Sequence, residues 1–379
     1  CFRSSRSCMK RVIILGCTGS IGSTALEAIR TKHLDLTVVG LSANSNAPQL
    51  VALAREFSSE AICLTGMAIE SVSGLRTYSN FTGLEQMLHS LDADIVLNAI
   101  SGFDGLRASL AALSCGFDLA LANKESVVCA GSYLFEVAKE HNASIIPVDS
   151  EHSALAELLK GHDRKQVQSL IITASGGPFR TLDASRFAGI TVEQALAHPT
   201  WNMGKKISID SATLANKALE VIEASHLFGF DADHIEVVIH PQSIVHSMIR
   251  TFDGAVYAQL GNPDMTLPII NALCEGATSL VSPLDFTRLS LSFEQPDFKR
   301  FPLLGLAFEI LRRKGSSALA FNAADEVAVH AFMQRRISYP KLIEVVIRTL
   351  DQRWDEEVDS FSQILALDAK ARQIASSLL

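Results

Sequence analysis

Val12-Ile13-Ile14-Leu15-Gly16-Cys17-Thr18-Gly19-Ser20-Ile21-Gly22 joins an apolar run to a glycine-rich one. Four apolar residues in a row make a short strand, and the three glycines, spaced G-x-x-G-x-x-G, make a tight turn. Ala25, Leu26, Ala28 and Ile29 then recur at helical spacing, and Leu36-Thr37-Val38-Val39 is the next strand. Strand, glycine turn, helix and strand in that order form a βαβ unit. Glycine lets the backbone approach a pyrophosphate, whose charge is met by free N–H groups at the following helix N-terminus. Gly16, Gly19 and Gly22 are therefore candidate dinucleotide contacts, with Thr18 and Ser20 as hydroxyl donors. A glycine triplet alone is also an ordinary turn, and its place between a strand and a helix is what favours the dinucleotide.

Further strands are expected at 61–64, 95–99, 118–122 and 144–148, each separated by helical periodicity. That alternation predicts an α/β protein with an N-terminal, Rossmann-type, doubly wound parallel sheet. After Val148 the strand patterns at 169–173, 235–240 and 255–260 lie among acidic and polar motifs and read as an α+β catalytic domain. Pro283, Pro296 and Pro302 punctuate a stretch with little helical period. Leu303, Leu306, Ala307, Ile310 and Leu311, and later Leu342, Ile343, Val346, Ile347 and Leu350, then predict a C-terminal helical bundle. The expected division is a cofactor domain over 1–148, a catalytic domain over 149–275, a linker over 276–302 and a helical domain over 303–379.

At about 150 residues per domain, 379 residues suit two or three domains. Hydrophobic residues at 48% and charged residues at 20% leave no room for extensive disorder. A net charge of -8 argues against nucleic acid as a partner, because phosphate neutralisation needs clustered Lys and Arg. A small-molecule substrate is favoured. The seven cysteines, at 1, 8, 17, 63, 115, 129 and 274, contain no Cys-x-x-Cys pair, so neither a zinc knuckle nor a disulfide framework is expected and a reducing compartment fits. No apolar run approaches the roughly 18 residues of a membrane span. The expectation is a cytoplasmic protein with no membrane partner. Cys1 to Cys8 read as an extraneous tail before a start at Met9; the rival is the stub of an Arg- and Ser-rich transit peptide of a plastid-type organelle.

The second strand of a dinucleotide fold normally ends in a carboxylate that binds the ribose of NAD. Here Asn44-Ser45-Asn46 follows instead, which tilts the choice to NADP without supplying a cation for its 2′-phosphate. Asn123-Lys124-Glu125 follows a strand, where Lys124 is a charge donor to substrate or the triplet is an exposed helix start. Asp149 and Glu151 stand two apart at the end of an apolar strand and so should share a face. Two such carboxylates suit a hard cation, Mg²⁺ or Mn²⁺, or form a solvated helix cap. Asn216 and Glu220 lie one helical turn apart beside Lys217, making Glu220 a third carboxylate unless the helix is an amphipathic surface element. Ser211, Asn216 and Lys217 carry donors for a phosphate, and Ser175-Gly176-Gly177-Pro178 is a small-residue turn able to add more. His198 opens His198-Pro199-Thr200-Trp201-Asn202-Met203-Gly204, a loop that either closes as a lid or packs down through Trp201 and Met203. The remaining histidines, His240 and His246 included, read as structural.

Taken together, Gly16 to Gly22, Leu121 to Ser126, Pro147 to His152, Ser175 to Phe179, His198-Pro-x-Trp201, Lys206 to Thr213, Asn216 to Glu220 and His240-Pro-Gln-Ser243 resemble the 1-deoxy-D-xylulose-5-phosphate reductoisomerase family, in order and spacing. The resemblance implies a homodimeric enzyme of the non-mevalonate isoprenoid pathway. It would convert 1-deoxy-D-xylulose 5-phosphate and NADPH to 2-C-methyl-D-erythritol 4-phosphate and NADP⁺, by breaking and rejoining the carbon skeleton before hydride transfer. Thr18, Gly19, Ser20, Ile21, Asn123, Glu125 and Gly204 would contact NADPH. Asp149, Glu151 and Glu220 would bind the metal. Lys124, Ser150, Ser175, His198, Ser211, Asn216 and Lys217 would hold the phosphorylated sugar, with Lys124 also steadying developing oxyanions.

The chain departs from the family pattern at Asn44-Ser45-Asn46, where Gly-Lys-Asn is usual, and at Asp325, where Asn is usual. Two rivals remain: a reductase of another phosphorylated carbonyl compound without rearrangement, and a non-catalytic dinucleotide sensor. The sensor predicts loss of the charged residues, yet Lys124, Asp149, Glu151 and Glu220 are all present.

Overall fold

The computed structural model describes residues 9–274 and 281–379. The expectation for residues 1–8, and the first part of the expected linker, lie outside the described residues. The chain divides into two compact units. Among the described residues, the first comprises 9–123, 135–149, 265–274 and 281, and the second 124–134, 150–264 and 282–379.

In the first unit the glycine turn follows strand β1 (Lys10–Leu15), and six more strands join it: β2 (Leu36–Ala43), β3 (Ala61–Leu64), β4 (Arg76–Ser79), β5 (Ile95–Asn98), β6 (Asp118–Leu121) and β7 (Ile145–Pro147). All pair in parallel, in the order β4-β3-β2-β1-β5-β6-β7. The order reverses between β1 and β5, the crevice in which open α/β sheets bind ligands. Val12, Ile14, Leu97, Ile62 and Leu64 are fully buried, as strands covered on both faces require. The helix Ser20–Lys32 lays Ala25, Leu26 and Ile29 on the sheet, and the helix Thr266–Leu273 adds Ile269 and Leu273 to the same core. β4 is absent from the sequence reading because Arg76-Thr77-Tyr78-Ser79 carries no apolar run; it is a half-exposed edge strand.

The second unit holds a four-stranded mixed sheet of β8 (Val167–Ala174), β9 (Ile235–Ile239), β10 (Val245–Thr251) and β11 (Val256–Leu260), in the order β11-β10-β8-β9. β8 and β9 are parallel, while β10 runs antiparallel to both β8 and β11. β10 also escaped the sequence reading, since His246, Ser247 and Arg250 interrupt its apolar pattern. The stretch read as a linker is pinned: Glu294 exchanges both backbone hydrogen bonds with Ile239, each 2.9 Å, and so adds a rung beside β9. Helices Pro302–Arg313, Ser317–Met333, Tyr339–Leu350 and Phe361–Ser377 then form the helical layer. Their core is continuous with that of the helix Ala215–Phe228, through Phe321, Leu342, Val346, Leu304 and Ile222. Tyr339 is fully buried, and its hydroxyl is satisfied by the Ala212 carbonyl at 2.7 Å.

No helix of the described residues is long and apolar enough to cross a membrane.

Candidate active site

The glycine turn has the geometry its spacing demands. Gly16 adopts φ +78°, and a Cβ there would stand 2.7 Å from the Ala99 carbonyl oxygen after β5. Gly22 passes equally close to the turn's backbone, since its Cβ would lie 2.6 Å from Cys17 Cα. The helix Ser20–Lys32 begins after Gly19 with no side-chain cap, so its first N–H groups face outward from a turn whose Gly19 and Ser20 are exposed. Gly16 N–H donates to Ser42 Oγ at 3.2 Å, which fixes the turn against β2. Asn44-Ser45-Asn46 is exposed just past β2, and Asn46 caps the next helix by accepting from Gln49 N–H at 3.2 Å. Asn123, at the end of β6, is buried and donates through Nδ2 to the Gly102 carbonyl at 2.9 Å. Asp149 closes the segment 135–149 of this unit.

In the second unit a charged cluster is assembled from three helices. The helix Lys124–Ala130 is buried along its whole length, which overturns the reading of Asn123-Lys124-Glu125 as an exposed helix start. The helix Ala215–Phe228 is buried from Ala215 to Ala224 apart from Asn216, so it is not an amphipathic surface element either. Asp149 and Glu151 do not share a strand face: β7 ends at Pro147, and Glu151 lies in the first turn of the helix Ser150–Lys160. The helix start, rather than strand alternation, aims Glu151 at its partners.

Lys124 Nζ donates to Glu220 Oε1 at 2.8 Å and to Asn216 Oδ1 at 2.9 Å. Lys217 Nζ donates to Glu151 Oε1 at 2.6 Å and also to Glu220 Oε2. Asn216 Nδ2 donates to Glu220 Oε1 at 2.5 Å, and Ser150 Oγ to Glu151 Oε2. Carboxylate oxygens of Glu151 and Glu220 lie within 4.8 Å of each other. Two carboxylates so close repel unless a cation separates them; here the Lys217 ammonium group bridges both, and Lys124 adds a second positive charge on Glu220. His152 closes the rear, donating through Nε2 to the Glu220 carbonyl at 2.9 Å, with Nδ1 3.3 Å from the Glu223 carboxylate. Neither His152 nor Glu223 was singled out from the sequence, because their partners are remote in the chain.

A second group lies around the turn after β8. Gly177, at φ +67°, brings that turn against the Ser211 carbonyl, where a Cβ would stand only 2.5 Å away. Ser175 Oγ is 2.9 Å from His198 Nε2. The backbone N–H groups of Thr200 and Trp201 both donate to His198 Nδ1, at 3.1 and 2.9 Å, so Nδ1 carries the lone pair and Nε2 the proton. Burial pushes the His198 pKa below the ordinary imidazole value, which favours the same neutral form. Gly204 caps the helix Lys205–Thr213, which carries Ser211. That helix meets the helix Ala215–Phe228 at Leu214, held at φ +60°, an unusual conformation for a branched residue at the joint between Ser211 and Asn216. Glu125 Oε1 lies 3.7 Å from Lys206 Nζ. His240 is structural: its Nε2 accepts from Ile244 and Val245 N–H, and its Nδ1 meets the Ser292 carbonyl.

Three family models match the chain: 1-deoxy-D-xylulose 5-phosphate reductoisomerase over residues 12–131, its C-terminal domain over 145–228, and DXP reductoisomerase C-terminal domain over 260–374. The chain is 45% identical over 374 residues to 1-deoxy-D-xylulose 5-phosphate reductoisomerase of Treponema pallidum (strain Nichols), with 98% of each chain covered. It is 44% identical over 381 residues to the enzyme of that name from Phocaeicola vulgatus, covering 98% of this chain and 99% of that one. Among solved structures, the reductoisomerase from Zymomonas mobilis in complex with NADPH superposes with a TM-score of 0.89 at 38% identity, covering 97% of this chain and 98% of that one. A DOX-P reductoisomerase in complex with NADPH, fosmidomycin and magnesium gives a TM-score of 0.88 at 37% identity with the same coverage. The chain belongs to the 1-deoxy-D-xylulose 5-phosphate reductoisomerase family.

Proposed function

We propose that this chain converts 1-deoxy-D-xylulose 5-phosphate and NADPH to 2-C-methyl-D-erythritol 4-phosphate and NADP⁺, with Mg²⁺ or Mn²⁺, in the non-mevalonate supply of isoprenoid precursors. The observation that carries the reading is the hydrogen-bonded cluster of buried Lys124, Lys217 and Glu220 with half-buried Glu151 and Asn216, in a chain of this family. Its donors fit the metal: Glu151 and Glu220 offer hard oxygens within 4.8 Å of each other. Asp149, one peptide bond before Ser150, is the proposed third ligand. When bound, the ion supplies Lewis-acid polarisation of the substrate carbonyl, and NADPH supplies the hydride.

The chain's own residues do the rest. The glycine turn, with Thr18, Ser20 and Ile21, seats the dinucleotide at the start of the helix Ser20–Lys32. Lys124, fixed by Asn216 and Glu220, presents an ammonium group where negative charge develops on substrate oxygens. Ser150, hydrogen-bonded to Glu151, holds the sugar. Ser175, Ser211, Asn216 and Lys217 take the phosphate, and the Gly177 turn keeps the first two adjacent. His198, locked as the Nε2–H tautomer, donates to the substrate, while its loop up to Gly204 excludes water.

The chain acts as a cytoplasmic homodimer in this reading. Support for the dimer comes from β11, an edge strand that exposes Val256 and Tyr257, with Phe252 in the turn before it. An unprotected apolar edge invites a second copy. Incubation with 1-deoxy-D-xylulose 5-phosphate, NADPH and Mg²⁺ tests the function. Metal-dependent loss of NADPH with one equivalent of product supports it, and turnover that persists in a chelator overturns it.

A further inference from the structure

Lys206 is the second residue of the helix Lys205–Thr213, and Asp325 sits midway along the helix Ser317–Met333. Lys206 Nζ donates to Asp210 Oδ2 on its own helix at 2.7 Å, and to Asp325 Oδ2, 119 positions away, at 3.2 Å. Glu125 Oε1 stands 3.7 Å from the same nitrogen. Asp325 is fully buried and Asp210 nearly so. One ammonium group thus faces three carboxyl groups in the interior of the second unit.

The charges adjust around the cation. Burial opposes the Lys206 charge, but Asp210, Asp325 and Glu125 outweigh it and raise its pKa well above the ordinary value. Burial, then the Asp325 charge, pushes Asp210 well above the carboxylate range, and burial also raises Asp325 against the pull of Lys206. The ammonium group is the permanent charge here, and the acids share the protons.

Of the two close carboxylates, only Asp325 ties Lys206 to a different helix. Asp210 lies one turn along the same helix and cannot hold that helix in place. What the tie holds is the exit of the loop at 197–204: Gly204 caps the helix, and its carbonyl accepts from both Ser208 N–H (3.1 Å) and Ser208 Oγ (2.9 Å). The loop's other polar tethers include Ser175 to His198 and a 3.3 Å bond from Thr200 Oγ1 to the Pro241 carbonyl. Ser211 rides on the same helix, five residues beyond Lys206.

We propose that Asp325, acting through Lys206, is a positioning residue that latches the exit of the loop 197–204 and so pre-sets His198 and Ser211 for the phosphorylated substrate. This rests on the reaction assigned above. A loop that must be ordered by the substrate lowers apparent affinity by the fraction of molecules already competent. Once substrate is bound, the loop is in place whether or not the latch helped. Loss of the latch therefore raises KM and leaves kcat nearly unchanged.

The experiment compares Asp325→Ala, Asp325→Asn and the unaltered protein in steady-state kinetics, alongside the ¹⁹F spectrum of protein labelled with 5-fluorotryptophan. The chain has two tryptophans, Trp201 in the loop and Trp354 in the core, so one line reports the latch and the other the fold. Asp325→Ala should raise the KM for the sugar phosphate about tenfold or more, hold kcat within about threefold, and move the Trp201 line alone toward the position of free tryptophan. Asp325→Asn, which keeps an acceptor and removes one surplus negative charge, should restore both. If Asp325→Ala does not fold, Lys206→Gln removes the same link from the other side and is read in the same way. An unmoved Trp201 line with KM unchanged, or a fall in kcat at constant KM, overturns the latch. If the unaltered protein does not turn over the sugar phosphate, the assigned reaction fails, and the Trp201 line still decides the latch.

Discussion

Lys124 reaches Glu220 across 96 positions of sequence, with Nζ 2.8 Å from Oε1 and the two side chains 7% and 2% exposed. Breaking a buried pair from one side is costly because it strands the other charge. Here the acid is shared, since Lys124 also has Asn216 and Lys217 also has Glu151. Glu220→Gln keeps the side chain's shape and leaves each lysine a partner. The variant should fold with an unaltered circular dichroism spectrum and lose at least about a hundredfold in kcat, the scale of several kcal/mol of lost metal assistance. Near-normal turnover in a metal-replete assay would remove Glu220 from the metal site.

His198 contributes an acid-side pH dependence. Its pKa lies below the ordinary 6.5 because burial penalises the imidazolium form. Above pH 6.5 the ring is neutral in both folded and unfolded chains, and stability owes it no pH dependence. As pH falls below 6.5 the unfolded chain takes up a proton that the folded one still refuses. Stability therefore declines from there down to the folded pKa. An imidazole NMR titration should give an apparent pKa for His198 under 6.5, with the Nε2–H tautomer throughout the neutral range. A value above 6.5 would contradict the locked geometry.

Gly16 tests the dinucleotide turn. Alanine there must adopt φ +78° and place its Cβ 2.7 Å from the Ala99 carbonyl. Gly16→Ala should cost roughly 1–3 kcal/mol in denaturant unfolding and weaken NADPH binding, read by fluorescence titration. Unchanged stability and affinity would mean that the turn has another geometry.

These features differ in how far the sequence announced them. The parallel sheet was legible because strands covered on both faces are continuous apolar runs, as in Val12 to Leu15 and Ala61 to Leu64. β4 and β10 were not, the first being a polar edge and the second interrupted by His246 and Arg250. The adjacency of Asn216 and Glu220 was legible from their one-turn spacing, while the burial of their helix was not, since the same spacing also reads as a surface helix. The burial of Lys124 and Lys217 was not, since a lysine reads as a surface residue until its acid is known. The tie between Lys206 and Asp325 had no local signal beyond the spacing of Lys206 and Asp210.

The cofactor choice turns on Asn44-Ser45-Asn46, which is exposed beyond β2 and carries no charge. A cation at Ser45 should add an exposed ion pair to a 2′-phosphate, worth about 0.2–1 kcal/mol. Ser45→Arg should lower the KM for NADPH by up to about fivefold and leave that for NADH unchanged. Equal effects on both cofactors would place the 2′-phosphate elsewhere.

Rearrangement of the carbon skeleton is what separates the proposed reaction from a plain reduction of the same ketone. The most direct measurement is ¹³C NMR of the product formed from isotopically labelled 1-deoxy-D-xylulose 5-phosphate with NADPH and Mg²⁺. The expected product is the branched chain of 2-C-methyl-D-erythritol 4-phosphate, with new connectivity at the carbon that bore the ketone. A straight-chain polyol phosphate would contradict it.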